Sequence, residues 1–363
     1  MKKKVAFLVA GINAGGTENY LLRFLEYYKN KIDATVYCKS GKLGELESEF
    51  REIGVKLVPF HLGYFNLLEY YKFKKKIEKE KYDAVCDLTG SFGALPLLFA
   101  KKAGIPKRVA FYRNSKEKYK NTYLKSKYSD FLIYLLPKVS TKILSNSRTA
   151  LNYFYGNLWI NKTKFDVVYN GIDALSFIDE KKNLRNEFSI AENSFVVGHV
   201  GRLNDQKNHQ TILKVAIELC KTYKDIYFVL CGKNVDKEYQ SLVDDNKLSD
   251  KIKLLGVRRD VNKVLNTLDC FYFPSVIEGQ PNALIEALVM GIPFVASEIE
   301  PIKETIPKEY HNLLIPPLDV KLAKSKILEI KNNSEIKNKI NLSEWAIEFY
   351  NPAKLFHLVY REL

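Results

Sequence analysis

Along the chain, short continuous apolar runs alternate with longer stretches whose apolar positions recur every three to four residues. Val5–Ala10, Ala34–Cys38, Lys56–Phe60, Ala84–Leu88, Arg108–Tyr112 and Lys142–Ser145 read as strands buried on both faces. The intervening pattern predicts helices over Thr17–Tyr28 and near Leu43–Ile53, so the first half is expected to be a doubly wound α/β sheet. The same alternation restarts after Asn170-Gly171-Ile172-Asp173. Strands are expected at Phe195–Val200, Ile226–Cys231, Ile252–Leu255, Cys270–Phe273 and Phe294–Ala296, with a helix over Gln210–Tyr223. This repetition predicts a second Rossmann-like domain. Asn-Gly is a turn signal, which makes Val167–Gly171 the expected linker. The tail Leu342–Leu363 is helical in pattern and interrupted by Asn351-Pro352, so it should bend there. The expected domains are 1–170, 171–341, and a terminal bent helix, 342–363, packing back on the first.

The segment richest in chemistry runs from Cys270 to Ser297. A buried strand ends at Phe273, Pro274, Ser275 and Gly279 mark a loop, and Asn282 opens a helix that Gly291 and Pro293 end. Glu278 lies in the loop and Glu286 within the first turns of the helix. In a parallel β-α-β unit ligands bind at the carboxyl ends of the strands. The backbone amides near Gln280 and Asn282, though not that of Pro281, would face an anion there. Gly11, Gly15 and Gly16 occupy the equivalent place after the first strand. Their spacing is not GxGxxG, and no acidic residue ends the second strand, which disfavours a nicotinamide-dependent oxidoreductase. After Val200, the loop Gly201–Asn208 carries Arg202, a fork for phosphate oxygens, and Lys207, a point charge. By itself that loop reads equally well as a solvated connection.

Composition narrows the classes. With 363 residues, 46% of them hydrophobic, the chain can fill two ordinary cores. No apolar run approaches the ~18–20 residues of a membrane-spanning helix. The opening MKKKVAFLVAGI resembles a signal peptide but flows into a glycine turn and a helical pattern, so it reads as a first strand. Cys38, Cys86, Cys220, Cys231 and Cys270 stand singly in apolar surroundings, as reduced core residues of a cytoplasmic protein would. The net charge of +15 is uneven: Lys101–Asp130 holds ten basic residues (101, 102, 107, 108, 113, 116, 118, 120, 125 and 127) against two acids, Glu117 and Asp130. Just upstream, Tyr70–Lys76 mixes aromatics with lysines. Such mixtures suit an anionic membrane surface, and also nucleic acid, and a solvated lysine-rich helix face is the plain alternative. His199 falls inside a strand and His209 just beyond Lys207, where core or surface roles outweigh catalysis. No spacing suggests a metal site, and no G-x-S-x-G elbow supports a hydrolase.

Five segments taken together, GGTEN (15–19), NGID (170–173), GRLNDQKN (201–208), LLGVRRDV (254–261) and FPSVIEGQPNALIEAL (273–288), resemble in order and spacing the retaining GT-B glycosyltransferases of family 4, the group 1 glycosyl transferases. That family includes sucrose synthase-like and polysaccharide-building enzymes. The resemblance spans nearly the whole chain and is most specific at Glu278-x7-Glu286. It implies two Rossmann-like domains facing a central cleft, a C-terminal helix crossing back to the first domain, and a nucleotide sugar, a UDP-sugar, as co-substrate with no metal or other cofactor.

Carried over residue by residue, the resemblance makes Glu278, Arg202 and Lys207 the catalytic set. The two cations would neutralise the leaving diphosphate, while Glu278 would accept from a sugar hydroxyl. Glu286 would hold the ribose, Val257 and Arg258 would lie near the base, and Gly279, Gln280, Pro281 and Asn282 would line the donor sugar. Gly16 would bring the first domain's backbone against the phosphate. Many relatives carry a histidine after the strand equivalent to Arg108–Tyr112, and none occurs here between His61 and His199. Tyr112, Arg113 or Asn114 takes its place or the donor sugar differs; with Asn170, these three are the expected acceptor or sugar contacts. Where relatives have paired glycines after the last strand of the unit, this chain has Glu298-Ile299-Glu300-Pro301. The expected activity is hexose transfer from a UDP-sugar to a glycan or lipid-linked acceptor in capsule, O-antigen or exopolysaccharide synthesis, by a cytoplasmic protein peripheral to the inner membrane face. A nucleotide-sugar-binding protein without transferase activity is the alternative, and nucleic-acid binding a third reading.

Overall fold

The computed structural model describes residues 1–63, 66–115, 122–178 and 182–363. Among these, the apolar runs of the first half form seven parallel strands: β1 (Lys3–Val9), β2 (Ile32–Cys38), β3 (Lys56–Pro59), β4 (Ala84–Asp87), β5 (Lys107–Tyr112), β6 (Lys142–Ser145) and β7 (Phe165–Val167). Their order is β3-β2-β1-β4-β5-β6-β7. The connecting helices are α1 (Gly16–Tyr27), α2 (Glu47–Glu52), α3 (Leu67–Glu80), α4 (Ala94–Lys102), α5 (Tyr123–Val139) and α6 (Arg148–Tyr155). Successive strand residues point to opposite faces. Val5, Phe7 and Val9 therefore pack under Tyr20, Leu21, Phe24 and Phe50 of α1 and α2. Ala6 and Leu8 pack in the layer built by α3, α4, α5 and α6. Lys116, Lys118 and Lys120 of the basic stretch lie outside the described residues.

The second half gives β8 (Phe195–Val200), β9 (Ile226–Cys231), β10 (Ile252–Leu255), β11 (Cys270–Phe273) and β12 (Phe294–Ala296), ordered β10-β9-β8-β11-β12. Its helices are α7 (Leu175–Ile178), α8 (His209–Thr222), α9 (Val235–Asp245), α10 (Val261–Asn266), α11 (Asn282–Val289), α12 (Glu300–Lys303), α13 (Val320–Asn332), α14 (Ser334–Lys339) and α15 (Ser343–Phe349). From β8 the chain steps outward to β10, then returns to place β11 on the other side of β8. The loops after β8 and β11 thus flank the point where the winding reverses, the place open α/β sheets use for ligands.

The two compact units are Met1–Gly171 with Pro352–Leu363, and Ile172–Asn351. The expected terminal segment 342–363 is therefore divided. α15 packs on α11 in the second unit, and only the last helix, α16 (Pro352–Tyr360), joins the first. The expected linker is shortened: Val167 ends β7 and Val168 is buried in the first core, and the crossing falls at its last residue, Gly171. Phe356 of α16 fits edge-on against Tyr20, Phe24 and Tyr27, with ring centroids 5.6–5.7 Å away. Truncating a buried phenylalanine costs about 3–5 kcal/mol. Phe356→Ala should lower the unfolding free energy of the first unit by that margin, shifting its urea midpoint down, and leave the second unit's transition in place. Equal midpoints in wild type and variant would show that α16 is dispensable to that core.

Two readings of the basic segments are corrected. In Tyr70–Lys76, Tyr70 and Phe73 face the core with Ile77 at helical spacing, and only Tyr71 of the aromatics is exposed. The guanidinium of Arg108 is half-buried and donates to the carbonyls of Val139, Ile105 and Pro106, which makes it a structural clamp rather than a surface cation.

Candidate active site

At the end of β8 the backbone makes its closest approach to a neighbour. A Cβ on Gly232 would lie 1.9 Å from the Gly201 carbonyl oxygen, so only glycine fits where the loops after β8 and β9 meet. Beyond Gly201 the extended Asn204 accepts from the Lys207 amide through its side chain and tightens Asp205–Lys207 into a single 3-10 turn. Asn208 is left-handed, with φ 57°, and its side-chain amide donates to the carbonyls of Pro274 and Pro317. The Val276 amide donates to the Gln206 carbonyl at 2.8 Å. These bonds fasten the loop after β8 to the loop after β11.

Fastening the loops brings together two residues that stand 71 positions apart. Lys207 Nζ lies 2.6 Å from Glu278 Oε1, with side chains only 18% and 10% exposed, and 4.6 Å from the centroid of the Phe273 ring. Arg202, on the same loop, is exposed and forms no ion pair with the described residues. Glu278, Gly279, Gln280 and Pro281 lead into α11, whose first intrahelical bond runs from the Ile285 amide to the Pro281 carbonyl. The amides of Asn282, Ala283 and Leu284 precede that bond and sit at the positive end of the helix. Leu284, Ile285, Ala287, Leu288 and Val289 bury the core side of α11, and Glu286 is left half-buried one turn in.

After β10, Val257 is exposed, but Arg258 is committed elsewhere. Its guanidinium forks onto both carboxylate oxygens of Asp260 at 2.8 Å and reaches Glu187 at 2.8 Å. These hydrogen bonds raise the Arg258 pKa and hold the Asp260 carboxyl down to about 2. Arg258 is thus an anchor of its loop, and Val257 is the side chain free to meet a flat apolar ligand.

His199 and His209 are core residues beneath the Lys207 loop, with ring centroids 5.1 Å apart. His199 Nδ1 is 3.0 Å from the Tyr272 carbonyl. Burial, then each other's presence and that of Lys207, pushes the His199 pKa well below its usual value; burial holds His209 down to about 4. An unfolded histidine takes a proton near pH 6.5, so between there and about 4 the unfolded chain binds more protons than the folded one, and stability falls as pH falls through that window. For His209 alone the loss is about 3 kcal/mol. His209→Leu should flatten part of the decline in melting temperature between pH 7 and 4; a decline as steep as wild type would contradict a neutral buried His209.

In the first unit, Gly16 opens α1 behind an extended Gly15. Tyr112 is buried, its hydroxyl 2.9 Å from that of Tyr155 and its ring against Phe154, so it serves the core. Arg113 is 7% exposed, its guanidinium 3.8 Å over the Tyr20 ring, and burial pulls its pKa down to about 10. Asn114 is exposed and Asn170 buried. Sequence reasoning missed one cluster here: Lys39 Nζ lies 2.9 Å from the fully buried Asp87 carboxylate and also bonds Thr89. Its signal was a carboxylate closing the apolar strand Ala84–Asp87.

Two family models match the chain, Glycosyltransferase Family 4 over residues 14–174 and Glycosyl transferases group 1 over residues 180–344. The capsular polysaccharide biosynthesis glycosyltransferase CapH of Staphylococcus aureus is 27% identical, with 78% of each chain covered. The UDP-Gal:alpha-D-GlcNAc-diphosphoundecaprenol alpha-1,3-galactosyltransferase of Escherichia coli is 28% identical over 88% of this chain and 85% of that one. Among solved structures, Anabaena HepE in complex with UDP-glucose matches at a TM-score of 0.81 and 18% identity, covering 99% of this chain and 98% of that one. Two parallel-sheet α/β units of the GT-B kind and two family models that between them span residues 14 to 344 agree: the chain belongs to the group 1, family 4 glycosyltransferases and is a hexosyltransferase.

Proposed function

We propose that the protein moves a hexose from a UDP-sugar to a hydroxyl of a lipid-linked glycan in surface polysaccharide assembly, with retention at the anomeric carbon and without a metal. The observation that carries this reading is the Lys207–Glu278 pair at the winding reversal of the second sheet, beside the N-terminus of α11. In the resting protein Glu278 neutralises Lys207. A donor diphosphate gives the ammonium a stronger partner, and Glu278 is then released to accept from a hydroxyl of the sugar. As the C1–O bond to the phosphate breaks, the acceptor hydroxyl oxygen bonds C1 on the same face, the departing phosphate oxygen takes the electron pair and then the hydroxyl proton, and Lys207, Arg202 and the first amides of α11 offset the developing charge. Glu286 accepts from the ribose hydroxyls, and Val257 covers one face of the base. The named relatives support the setting, since one builds capsule and another is named for a diphosphoundecaprenol acceptor.

The test offers a panel of UDP-hexoses with membrane extract as acceptor and follows UDP release, with and without EDTA. One donor should be turned over at the same rate in both. Tight donor binding with no release would leave a nucleotide-sugar-binding protein, and loss of rate in EDTA would remove the metal-free mechanism.

A further inference from the structure

α5 carries a pattern that neither the core of the first unit nor the transfer chemistry explains. Its inner side, Ser129, Leu132, Leu136 and Val139, is buried. Its outer stripe, at positions 123, 127, 131, 134 and 138, combines three aromatic side chains with two lysines. Tyr123, Phe131 and Tyr134 are 50–76% exposed, and Leu124 beside them is 79% exposed. Lys127 Nζ stands 5.7 Å from the Tyr123 ring and Lys138 Nζ 3.6 Å from the Tyr134 ring. Next to the stripe lies an open cavity of about 410 Å³ lined by apolar and aromatic side chains, among them Ile133, Tyr134, Phe154 and Leu158, with Asp130 as its one charged residue. Leu67 and Leu68, at the start of α3, are exposed as well. α3 packs on α4 and α4 on α5, and helices that connect parallel strands begin at the carboxyl edge of the sheet. Leu67, Leu68, Tyr123 and Leu124 therefore stand at the edge where Gly16 opens α1.

We propose that this stripe is the docking surface for an anionic phospholipid bilayer, with α5 lying in the headgroup layer and the adjoining cavity receiving acyl chain. The chemistry favours lipid over protein. Centres of protein interfaces are depleted of lysine, whereas here a lysine stands by two of the stripe's three aromatics, Tyr123 and Tyr134. In the interfacial layer the rings enter the acyl boundary while the ammonium groups rise to the phosphates. Exposed Lys127 and Lys138 outnumber Asp130, the acid on the same exposed side, which matches an anionic surface. The inference rests on the lipid-linked acceptor of the proposed function, and it explains how a chain with no helix long and apolar enough to cross a membrane, among the described residues, would reach such a substrate.

The full-length protein should sediment at low salt with vesicles containing about one-third phosphatidylglycerol, and remain in solution with pure phosphatidylcholine. Lys127→Gln with Lys138→Gln should lower the partition coefficient about thirty-fold, as the loss of two interfacial cations implies. Leu124→Ser, Phe131→Ser and Tyr134→Ser combined should abolish sedimentation. Both variants should keep the wild-type melting temperature and its shift by UDP. A wild type that stays in the supernatant, or a triple-serine variant that sediments as well as wild type, overturns the proposal. So does lipid-free self-association lost in that variant, which would assign the stripe to a second copy of the chain. UDP release toward a soluble glycan acceptor is scored separately: release without sedimentation discards the surface and keeps the transferase reading, and sedimentation without release does the reverse.

Discussion

Lys207→Met is expected to lower kcat about 100- to 1000-fold, the usual cost of removing one group that stabilises charge at a leaving oxygen. Methionine keeps an unbranched apolar stem and removes the ammonium, together with its contact over the Phe273 ring. The substitution also removes the cation facing the Glu278 carboxylate, which is 10% exposed, and breaking a largely buried pair costs about 3–5 kcal/mol at the extreme. Stability and catalysis must therefore be separated. In the double variant Lys207→Met/Glu278→Gln both charges of the pair are gone, so the melting temperature should return toward wild type while kcat stays depressed. Glu278→Gln alone leaves Lys207 without its counter-charge, so it should bind free UDP at least as tightly as wild type and still turn over poorly. If the double variant recovers kcat along with stability, Lys207 holds the loop and does no more.

Gly232→Ala should be the most damaging single methyl group in the second unit. The new Cβ would sit 1.9 Å from the Gly201 carbonyl oxygen and 3.0 Å from the Arg202 amide nitrogen, and both obstacles are backbone, which no rotamer change relieves. The loop after β8 must shift by more than 1 Å, an overpacking cost of typically ~1–3 kcal/mol or more. That loop carries Arg202 and Lys207, so UDP affinity should fall at least ten-fold, which is ~1.4 kcal/mol. Gly54→Ala supplies the comparison. It meets nothing within 4 Å and is strained only by its φ of 81°, so it should cost about 1 kcal/mol and leave UDP binding untouched. Full UDP affinity in Gly232→Ala, measured by calorimetry, would mean that the two loops do not depend on their contact.

Most of the fold was legible because parallel strands buried on both faces leave largely apolar runs, and the interior strands β1, β2, β4, β5, β6, β8, β9 and β11 each showed one. β7 escaped because it is a three-residue edge strand, and its last residue, Val167, was absorbed into the linker. The tail failed for a different reason. Amphipathic spacing reports that α15 and α16 each bury a face, but says nothing about which core receives it, and the two helices go to different units. At the site, Glu278 and Glu286 were legible because a single strand–loop–helix unit sets their spacing. The meeting of Lys207 with Glu278 was not, since it depends on Asn208 tying two loops that follow different strands. Arg258 showed the opposite failure: its partner Asp260 is two residues away, yet a cation near a nucleotide site invites a ligand before it suggests a neighbour.

The chain leaves the first unit at Gly171 and returns at Pro352, and a Cβ on Gly171 would touch both the Pro352 Cα and the Phe356 ring. During synthesis this sets an order. When the ribosome has delivered residues 1–171 the first sheet is complete, but the aromatic socket of Tyr20, Phe24 and Tyr27 has no occupant. The 192 residues that remain (363 − 171) take about 10–40 s at ordinary elongation rates. For that interval a nascent first unit presents open aromatic surface, the kind of feature to which holding chaperones bind. The second unit, wholly contained between the two crossings, can fold before the first is closed.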